Sequence, residues 1–474
     1  MSLIQRMRQL RGVELQLLLT VLLFFVAGYL EVVFATRQRE FIPSVPGVLS
    51  ILWPSSLPLL LFITLSLGLG WRMTKSDQIL LPLVSLLAGM GLMLVTRLEP
   101  SFDVLYLGSD GEPIYADIAY KQTIWVSLGV VILAIMLFVP WDGLFIRLQR
   151  SSLMDWLDHH RYVWLFLGLG MIAATFVFGT DPNQSGVKGW FNFGLFMFQP
   201  SELLKIILVI FMASYLNEHR EVVVAGYRLG PVSLPPLPYL LPVVIMWGIA
   251  MGTIVFQRDL GAAFLLFGVF LAMFYVATGQ RIYVVAGLTA FAFGSFVLFN
   301  FGHIFHLDRL VDVVRVRVEI WLDPWAHGQG LGYQLIQGAY AMAAGGIFGT
   351  GLGRGMPATV PVSHTDMAFV AIGEEMGLAV ALAVLIAYIL LIFRGYHIAV
   401  NIPGRFRGFE QLLATGLTTI LAVQTIVIIG GSIRLIPLTG ITLPFISYGG
   451  SSILANFLII GLLMRISAAN REAS

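Results

Sequence analysis

Twelve apolar runs recur along this chain of 474 residues, at about 15–35, 48–71, 78–97, 122–140, 162–179, 200–216, 238–256, 260–278, 282–301, 367–393, 409–432 and 442–465. Each is close to the ~20 residues that a helix needs to cross the hydrocarbon core of a bilayer. Composition agrees. Apolar residues make up 58% of the chain and charged residues 11%, at a mean hydropathy of +0.87. A soluble chain carries roughly a quarter of its residues charged. The expected fold class is therefore an all-α polytopic membrane protein with about twelve transmembrane helices. The first run follows Arg6, Arg8 and Arg11, as a secretory signal would. It is long enough to span and no small-x-small cleavage site follows, so it reads as a retained helix.

Several function classes are excluded early. A net charge of +2 gives no footprint for nucleic acid. The absence of cysteine removes disulfides, thiolate zinc sites and catalytic thiols. The four lysines, Lys75, Lys121, Lys188 and Lys205, include none in a GxxxxGK[ST] setting, so no nucleotide is expected.

Charge also sets an expected topology. Threading twelve spans from a cytoplasmic N-terminus places 16 of the 28 Lys and Arg residues on inner loops and 7 on short outer loops. The other five are Lys205 and Arg309, Arg315, Arg317 and Arg354, the last four within the long segment 302–366. That bias puts both termini in the cytoplasm. Segments 98–120, 180–199 and 302–366 are expected outside, and 217–237 and 394–408 inside. Within 302–366, the stretch Tyr333–Phe348 is too short to span and reads as an interfacial or re-entrant helix.

Three polar clusters stand where spans begin on the expected outer face. Gln199-Pro200-Ser201-Glu202 is a standard helix start, with Pro at the first helical position. Lys205 is not explained that way: it is a cation near the positive end of a helix dipole, inside the membrane. Glu202, three residues earlier on the same face, can pair with it. The second cluster is Gln257-Arg258-Asp259, in which Asp259 reads equally as a cap. The third is Ser363-His364-Thr365-Asp366, ahead of a span that carries Glu374 and Glu375; here too a cap and a surface histidine are the bland alternatives. The three spans run in one direction, so their N-termini would offer N–H groups to a phosphate or pyrophosphate at one face. The run Gly345–Gly355, with Arg354, lies in the same outer region and is a weak candidate for a phosphate cradle. The last span is broken at Pro444 and by Ser447-Tyr448-Gly449-Gly450, as backbone lining a cavity or buried in protein can be.

The order and wording of these motifs resemble the SEDS family of peptidoglycan glycosyltransferases, which includes RodA, FtsW and SpoVE. The matching segments are GVKGWFNFGLFMFQPSELLK (186–205), QRDLG (257–261), DPWAHGQGLGYQLIQGAYAMAAGGIFGTGLGRG (323–355), HTDMAFVAIGEEMG (364–377) and RLIPLTGITLPFISYGGSS (434–452). The resemblance implies a ten-helix glycosyltransferase domain over 78–474, with the large extracytoplasmic loop 302–366. Residues 1–77 form an additional helix pair, similar to that of longer RodA-type chains.

The implied activity is polymerisation of lipid II into glycan strands at the outer face of the bacterial cytoplasmic membrane, in cell elongation. The resemblance makes Asp366 the catalytic residue, as general base. It places Lys188, Trp190, Gln199, Ser201, Glu202, Lys205, Asp259, Arg354, His364, Thr365, Ser447 and Tyr448 against substrate. A divalent cation, Mg2+ or Mn2+, is compatible with a pyrophosphate substrate, but its ligands are not legible. The implied partners are a monofunctional class B penicillin-binding protein, because the chain has no acyl-transfer motif of its own, and other elongation-complex membrane proteins. The sequence departs from the family at Val362, where a glutamate is common, at Met367, where an aromatic is common, and at Lys188-Gly189, where two basic residues are usual. The alternatives are a lipid II flippase, with Glu202 and Lys205 lining a path, a division-type FtsW polymerase, and a scaffold that only recruits a transpeptidase.

Overall fold

The computed structural model describes residues 11–37, 45–73, 75–108, 111, 113–141, 143, 152–181, 188–194, 196–220, 227–229, 232–234, 237–301, 308–402 and 408–473. Seven of the arginines behind the topology, Arg6, Arg8, Arg39, Arg147, Arg150, Arg405 and Arg407, lie outside the described residues. Among these described residues, fifteen α-helices and two short hairpins follow one another. They are α1 (Gly12–Arg37), α2 (Val45–Arg72), α3 (Leu80–Leu105), α4 (Ile118–Phe138), α5 (Leu153–His159), α6 (Arg161–Phe178), β1 (Phe191–Asn192), β2 (Met197–Phe198), α7 (Pro200–Glu218), β3 (Tyr227–Leu229), β4 (Val232–Leu234), α8 (Leu237–Phe256), α9 (Leu260–Thr278), α10 (Arg281–Phe301), α11 (Asp308–Leu322), α12 (Leu331–Gly345), α13 (Ala368–Val400), α14 (Gly408–Ser432) and α15 (Gly450–Ala473).

Among the described residues, nine helices are long and apolar enough to cross a membrane, and α2, α8 and α10 carry the shorter apolar windows Ser56–Arg72, Leu241–Phe256 and Arg281–Val297. These twelve helices coincide with the twelve apolar runs, and the chain is a polytopic helical membrane protein. The tight connection between α8 and α9 works because Arg258 takes a left-handed φ of 55° and the Asp259 N–H donates to Ile254 O at 3.2 Å. The last helix begins at Gly450 rather than near 442, because residues 441–449, containing Pro444, are irregular. The stretch Tyr333–Phe348 is largely taken up by α12. The amphipathic α11 gives no signal of a span, because its alternating charges interrupt any apolar run.

The described chain forms two compact units, Met1–Phe138 with Ile320–Arg394 and Gln424–Ser474, and Val139–Glu319 with Gly395–Val423. In the first, the N-terminal pair α1 and α2 packs against α3 and α4, and α4 packs along α15. Burial of apolar groups contributes little driving force in lipid, so close approach and polar ties must hold such helices together. Close approach is visible where the Phe457 ring fills the space a side chain at Gly129 would need, and where Phe25 does the same at Gly89.

The polar tie sits at one end of the first unit. Arg11 and Glu14 are fully buried and paired with each other. Arg11 Nη1 also donates to Met73 O at 2.9 Å and to Ser76 Oγ at 2.7 Å, and Ser66 Oγ donates to Glu14 at 2.5 Å. Asp77 pairs with Arg394 of α13, its N–H donates to Ser467 Oγ of α15 at 3.0 Å, and its carboxylate accepts from Ile79 N–H at 2.9 Å. This network gathers the start of α1, the end of α2, the start of α3 and the far ends of α13 and α15. The opposite ends of α3, α13 and α15 carry the candidate site, as alternate threading requires within this unit.

Candidate functional site

In the first unit, the site forms at the N-terminal end of α13. Val362 adopts a φ of 55°, which is strained for a β-branched residue. The tight turn it permits lets its carbonyl accept from both Thr365 N–H (3.0 Å) and Met367 N–H (3.2 Å). Ala371 N–H donates to Met367 O at 3.0 Å, so Met367, not Asp366, holds the cap position of α13. Asp366 stands just outside the helix and is partly exposed. Gly440, in the segment that leads into α15, faces it closely: a Cβ there would lie 3.7 Å from Asp366 Oδ2.

The broken stretch before α15 holds this turn in place. Ser447 Oγ donates to Thr365 O at 2.6 Å and accepts from Leu443 N–H at 2.9 Å. The Tyr448 N–H donates to His364 O at 2.8 Å. Below, the Tyr388 hydroxyl donates to Pro444 O at 2.5 Å and Gln424 Nε2 donates to Thr442 O at 2.8 Å. The backbone that the sequence left broken is thus satisfied by neighbouring helices, as membrane-depth irregularity must be. Ser447 and the Thr365 carbonyl are committed to this scaffold; the Thr365 hydroxyl donates to Val362 O at 3.3 Å.

His364 is buried in an aromatic enclosure, with ring centroids 5.2 Å from Phe102, 4.7 Å from Tyr115 and 5.8 Å from Tyr448. Burial disfavours its cation and lowers its pKa from 6.5 to about 4. The imidazole is therefore neutral near pH 7, and its buried Nδ1 makes no hydrogen bond. The surface-residue reading of His364 is replaced by this buried one. Burial likewise raises Tyr115 above the ordinary phenol value.

The Gly-rich run, a weak candidate for a phosphate cradle, is bonded to a break in α13. Helix α13 breaks at Gly377, whose φ of 79° and ψ of 174° are open only to glycine. The break frees carbonyls above it and N–H groups below it, and the run 346–351 satisfies both. Thr350 N–H donates to Glu374 O (2.9 Å) and Gly351 N–H to Glu375 O (3.0 Å), while Leu378 N–H donates to Gly346 O (2.9 Å) and Ala379 N–H to Ile347 O (3.1 Å). Met356 N–H adds a bond to Glu374 Oε1 at 2.7 Å. Those amides are spent on the helix break, not offered to an anion. Arg354 is exposed, at the rim.

Arg97 is the partner of Glu375, a pairing that motif reading missed. It lies in α3, pairs with buried Glu375 at 3.0 Å and donates to Gly355 O at 3.2 Å. The available signal was a cation inside an apolar run with two carboxylates inside another. Its position, 278 residues from Glu375 in the chain, hid the match.

In the second unit, Pro200 opens α7 at its first positions behind Gln199, whose side chain makes no cap bond. Glu202 and Lys205 form the expected pair at 2.7 Å, with side chains only 16% and 5% exposed. Asp259 caps α9 by accepting from Ala262 N–H at 2.9 Å. Its pKa is raised by burial first; Glu202 adds to the rise, whereas that hydrogen bond, Arg317 and Lys205 oppose it. These groups thus share one electrostatic neighbourhood of two acids and two bases. Ser201 is partly buried in the first turn of α7. Trp190 bridges to Thr180, with its N–H donating at 3.3 Å and its carbonyl accepting at 2.7 Å, and Lys188 next to it is exposed. The structure therefore brings Glu202, Lys205 and Asp259 together in one unit, and His364, Thr365, Asp366, Ser447 and Tyr448 in the other.

Comparison with known proteins gives the same reading. The family of FtsW, RodA and SpoVE cell cycle proteins matches residues 77–472. The chain is 39% identical over 400 residues to the peptidoglycan glycosyltransferase RodA of Mycobacterium tuberculosis (strain ATCC 25618 / H37Rv), covering 84% of this chain and 79% of the relative. It is 35% identical to the RodA of Mycobacterium leprae (strain TN), over 98% of this chain and 91% of the relative. The probable peptidoglycan glycosyltransferase FtsW of Thiomicrospira cyclica is 31% identical, over 74% of this chain and 82% of the relative. Among solved structures, a chain of a peptidoglycan synthase complex superposes with a TM-score of 0.64 at 24% identity, covering 83% of this chain and 98% of that one. RodA of Thermus thermophilus superposes with a TM-score of 0.53 at 22% identity, covering 84% and 97%; at that identity both establish the fold. With the match running over almost the whole length after the N-terminal helix pair, the chain belongs to the FtsW/RodA/SpoVE family of cell cycle proteins.

Proposed function

We propose that this chain is a RodA-type peptidoglycan glycosyltransferase that extends glycan strands from lipid II, with Asp366 as general base. Identity to RodA relatives over most of both chains supports the activity, and the lower identity to FtsW relatives favours the RodA-type reading. The observation that carries Asp366 is its placement: outside the cap position of α13, partly exposed, on a turn held from three sides by backbone and Ser447.

The acceptor's 4-hydroxyl attacks the anomeric carbon of the donor glycan. A C–O bond forms there with inversion as the bond to undecaprenyl pyrophosphate breaks. Asp366 takes the hydroxyl proton, and the departing pyrophosphate carries the electron pair. No nucleotide is needed, because the leaving group supplies the driving force. His364, next to the turn, is neutral near pH 7. In the second unit, the Glu202–Lys205 pair, almost out of solvent, supports the start of α7. Among the described residues no three acidic, histidine or cysteine side chains gather as a metal-binding set; a Mg2+ or Mn2+ ion on the pyrophosphate would arrive with the substrate.

The site is assigned to the outer face of the cytoplasmic membrane, with both termini inside. The bias of Lys and Arg between loops supports this. A class B penicillin-binding protein is the proposed partner, since cross-linking chemistry must come from another chain. The solved relative from a peptidoglycan synthase complex, described as coordinating polymerization and crosslinking, supports that pairing.

The test is Asp366→Asn. Asparagine is nearly isosteric, so the variant should fold with wild-type thermal stability yet lose polymerisation of purified lipid II by ~10²–10⁴-fold, the usual contribution of a general base. Near-normal polymer from the folded variant would refute the assignment.

A further inference from the structure

The connection between α6 and α7 carries a feature that the proposed activity does not use. Two bilayer-spanning helices, ending at Phe178 and starting at Pro200, are joined by only 21 residues. The described part of that connection is organised. Thr180 pairs with Trp190, and β1 and β2 pair antiparallel, Phe191 opposite Phe198 and Asn192 opposite Met197. Gly194 N–H donates to Asn192 Oδ1 at 2.8 Å within the turn.

This hairpin places Phe193 and Phe196 outward, while Phe191 and Phe198 are half-buried. Phe193 is 59% exposed, Phe196 42% and Met197 44%, and the last residue of α6, Phe178, is 73% exposed. The Phe193 and Phe196 rings lie 5.2 Å apart, and Phe191 and Phe193 6.3 Å apart. An ordered strand pair that turns a cluster of large apolar rings away from its own protein is an unusual surface for water. Its position supplies the occupant. The hairpin is strung directly between two spans, so it lies at a membrane–water boundary, where aromatic side chains concentrate. The exposed Lys188 at its base suits contact with anionic head groups.

We infer that the Phe191–Phe198 hairpin is an interfacial anchor, with Phe193, Phe196 and Met197 seated at the head-group–acyl boundary of the lipid bilayer. The ligand of this surface is the lipid itself. Because β2 runs through Gln199 directly into Pro200, the anchor fixes the depth at which α7 begins, and with it the depth of the Glu202–Lys205 pair two to five residues on. The inference goes beyond the catalytic assignment and stands whether or not Asp366 acts as base.

The chain has no cysteine, so a single Phe196→Cys, or separately Met197→Cys, gives a unique site for an environment-sensitive fluorophore in the full-length protein. The protein is placed in vesicles of phosphatidylglycerol and phosphatidylethanolamine carrying spin-labelled lipid. The expected result is blue-shifted emission, quenched more by a spin label near the head group than by one at the chain end, and little by aqueous iodide. Adding Phe193→Ser should shift the emission at position 197 toward the red and raise iodide quenching. Strong iodide quenching without lipid quenching, meaning a hairpin standing in water, would overturn the inference. So would protection from both quenchers, meaning that protein covers the patch.

Discussion

Gly377 shows how much one residue can decide. Its backbone sits where only glycine is comfortable, and a Cβ there would press on the main chain of Ile347, Phe348 and Gly349. Gly377→Ala should therefore cost at least the ~1–3 kcal/mol of such strain and unclip the 346–351 segment. Hydrogen exchange at Thr350, Gly351, Leu378 and Ala379 would report it as faster exchange at all four amides; unchanged protection would contradict the clip. His364 gives a pH signature of a different kind. Its folded pKa of about 4 lies below the ordinary 6.5, so the unfolded chain binds the extra proton first. The stability that neutral His364 contributes is present in full above pH 6.5 and is lost as pH falls toward about 4. Thermal stability of the wild type should therefore fall as pH is lowered from 6.5 to about 4. The slope should be shallower in His364→Gln, and identical slopes would remove His364 as its source.

Elements are held by buried charge as much as by packing. The Glu202–Lys205 pair lies on the first two turns of α7, almost out of solvent. Removing one partner of a buried pair typically costs several kcal/mol (about 3–5), because the remaining charge is left uncompensated; the partial exposure of Glu202 puts this pair toward the lower end. Lys205→Ala and Glu202→Ala should each reduce folded yield and polymerisation, and the charge-swapped double variant should recover part of both. Full expression and activity of Lys205→Ala would show that the pair holds nothing in register. At the other end of the first unit, Asp77 binds Arg394 of α13 and Ser467 of α15, within hydrogen-bonding reach of the Arg11–Glu14 pair. The N-terminal helices are thereby tied to the helix whose opposite end holds Asp366.

For the whole molecule, orientation is the testable statement. Single cysteines in 98–120 or 302–366 should react with an impermeant maleimide in intact cells, and one in 394–408 should not. Reaction at 394–408 without permeabilisation would invert the assignment of faces. The absence of native cysteine makes the readout clean.

Sequence by itself determined the helical membrane architecture, because the length and apolarity of a span are local properties, and each of the twelve runs carries its own signal. It also located the HTD turn, the Glu202–Lys205 pair and the Asp259 cap, whose partners lie within a few residues. Tertiary structure alone decided the rest. The Arg97–Glu375 pair, the aromatic enclosure of His364 and the seating of Ser447 on Thr365 join residues far apart in the chain, and no local periodicity encodes such matches. The Gly-rich run shows the difference most clearly. Its composition fits a phosphate cradle and a helix clip equally well, and only the position of the break at Gly377 shows which carbonyls its amides meet.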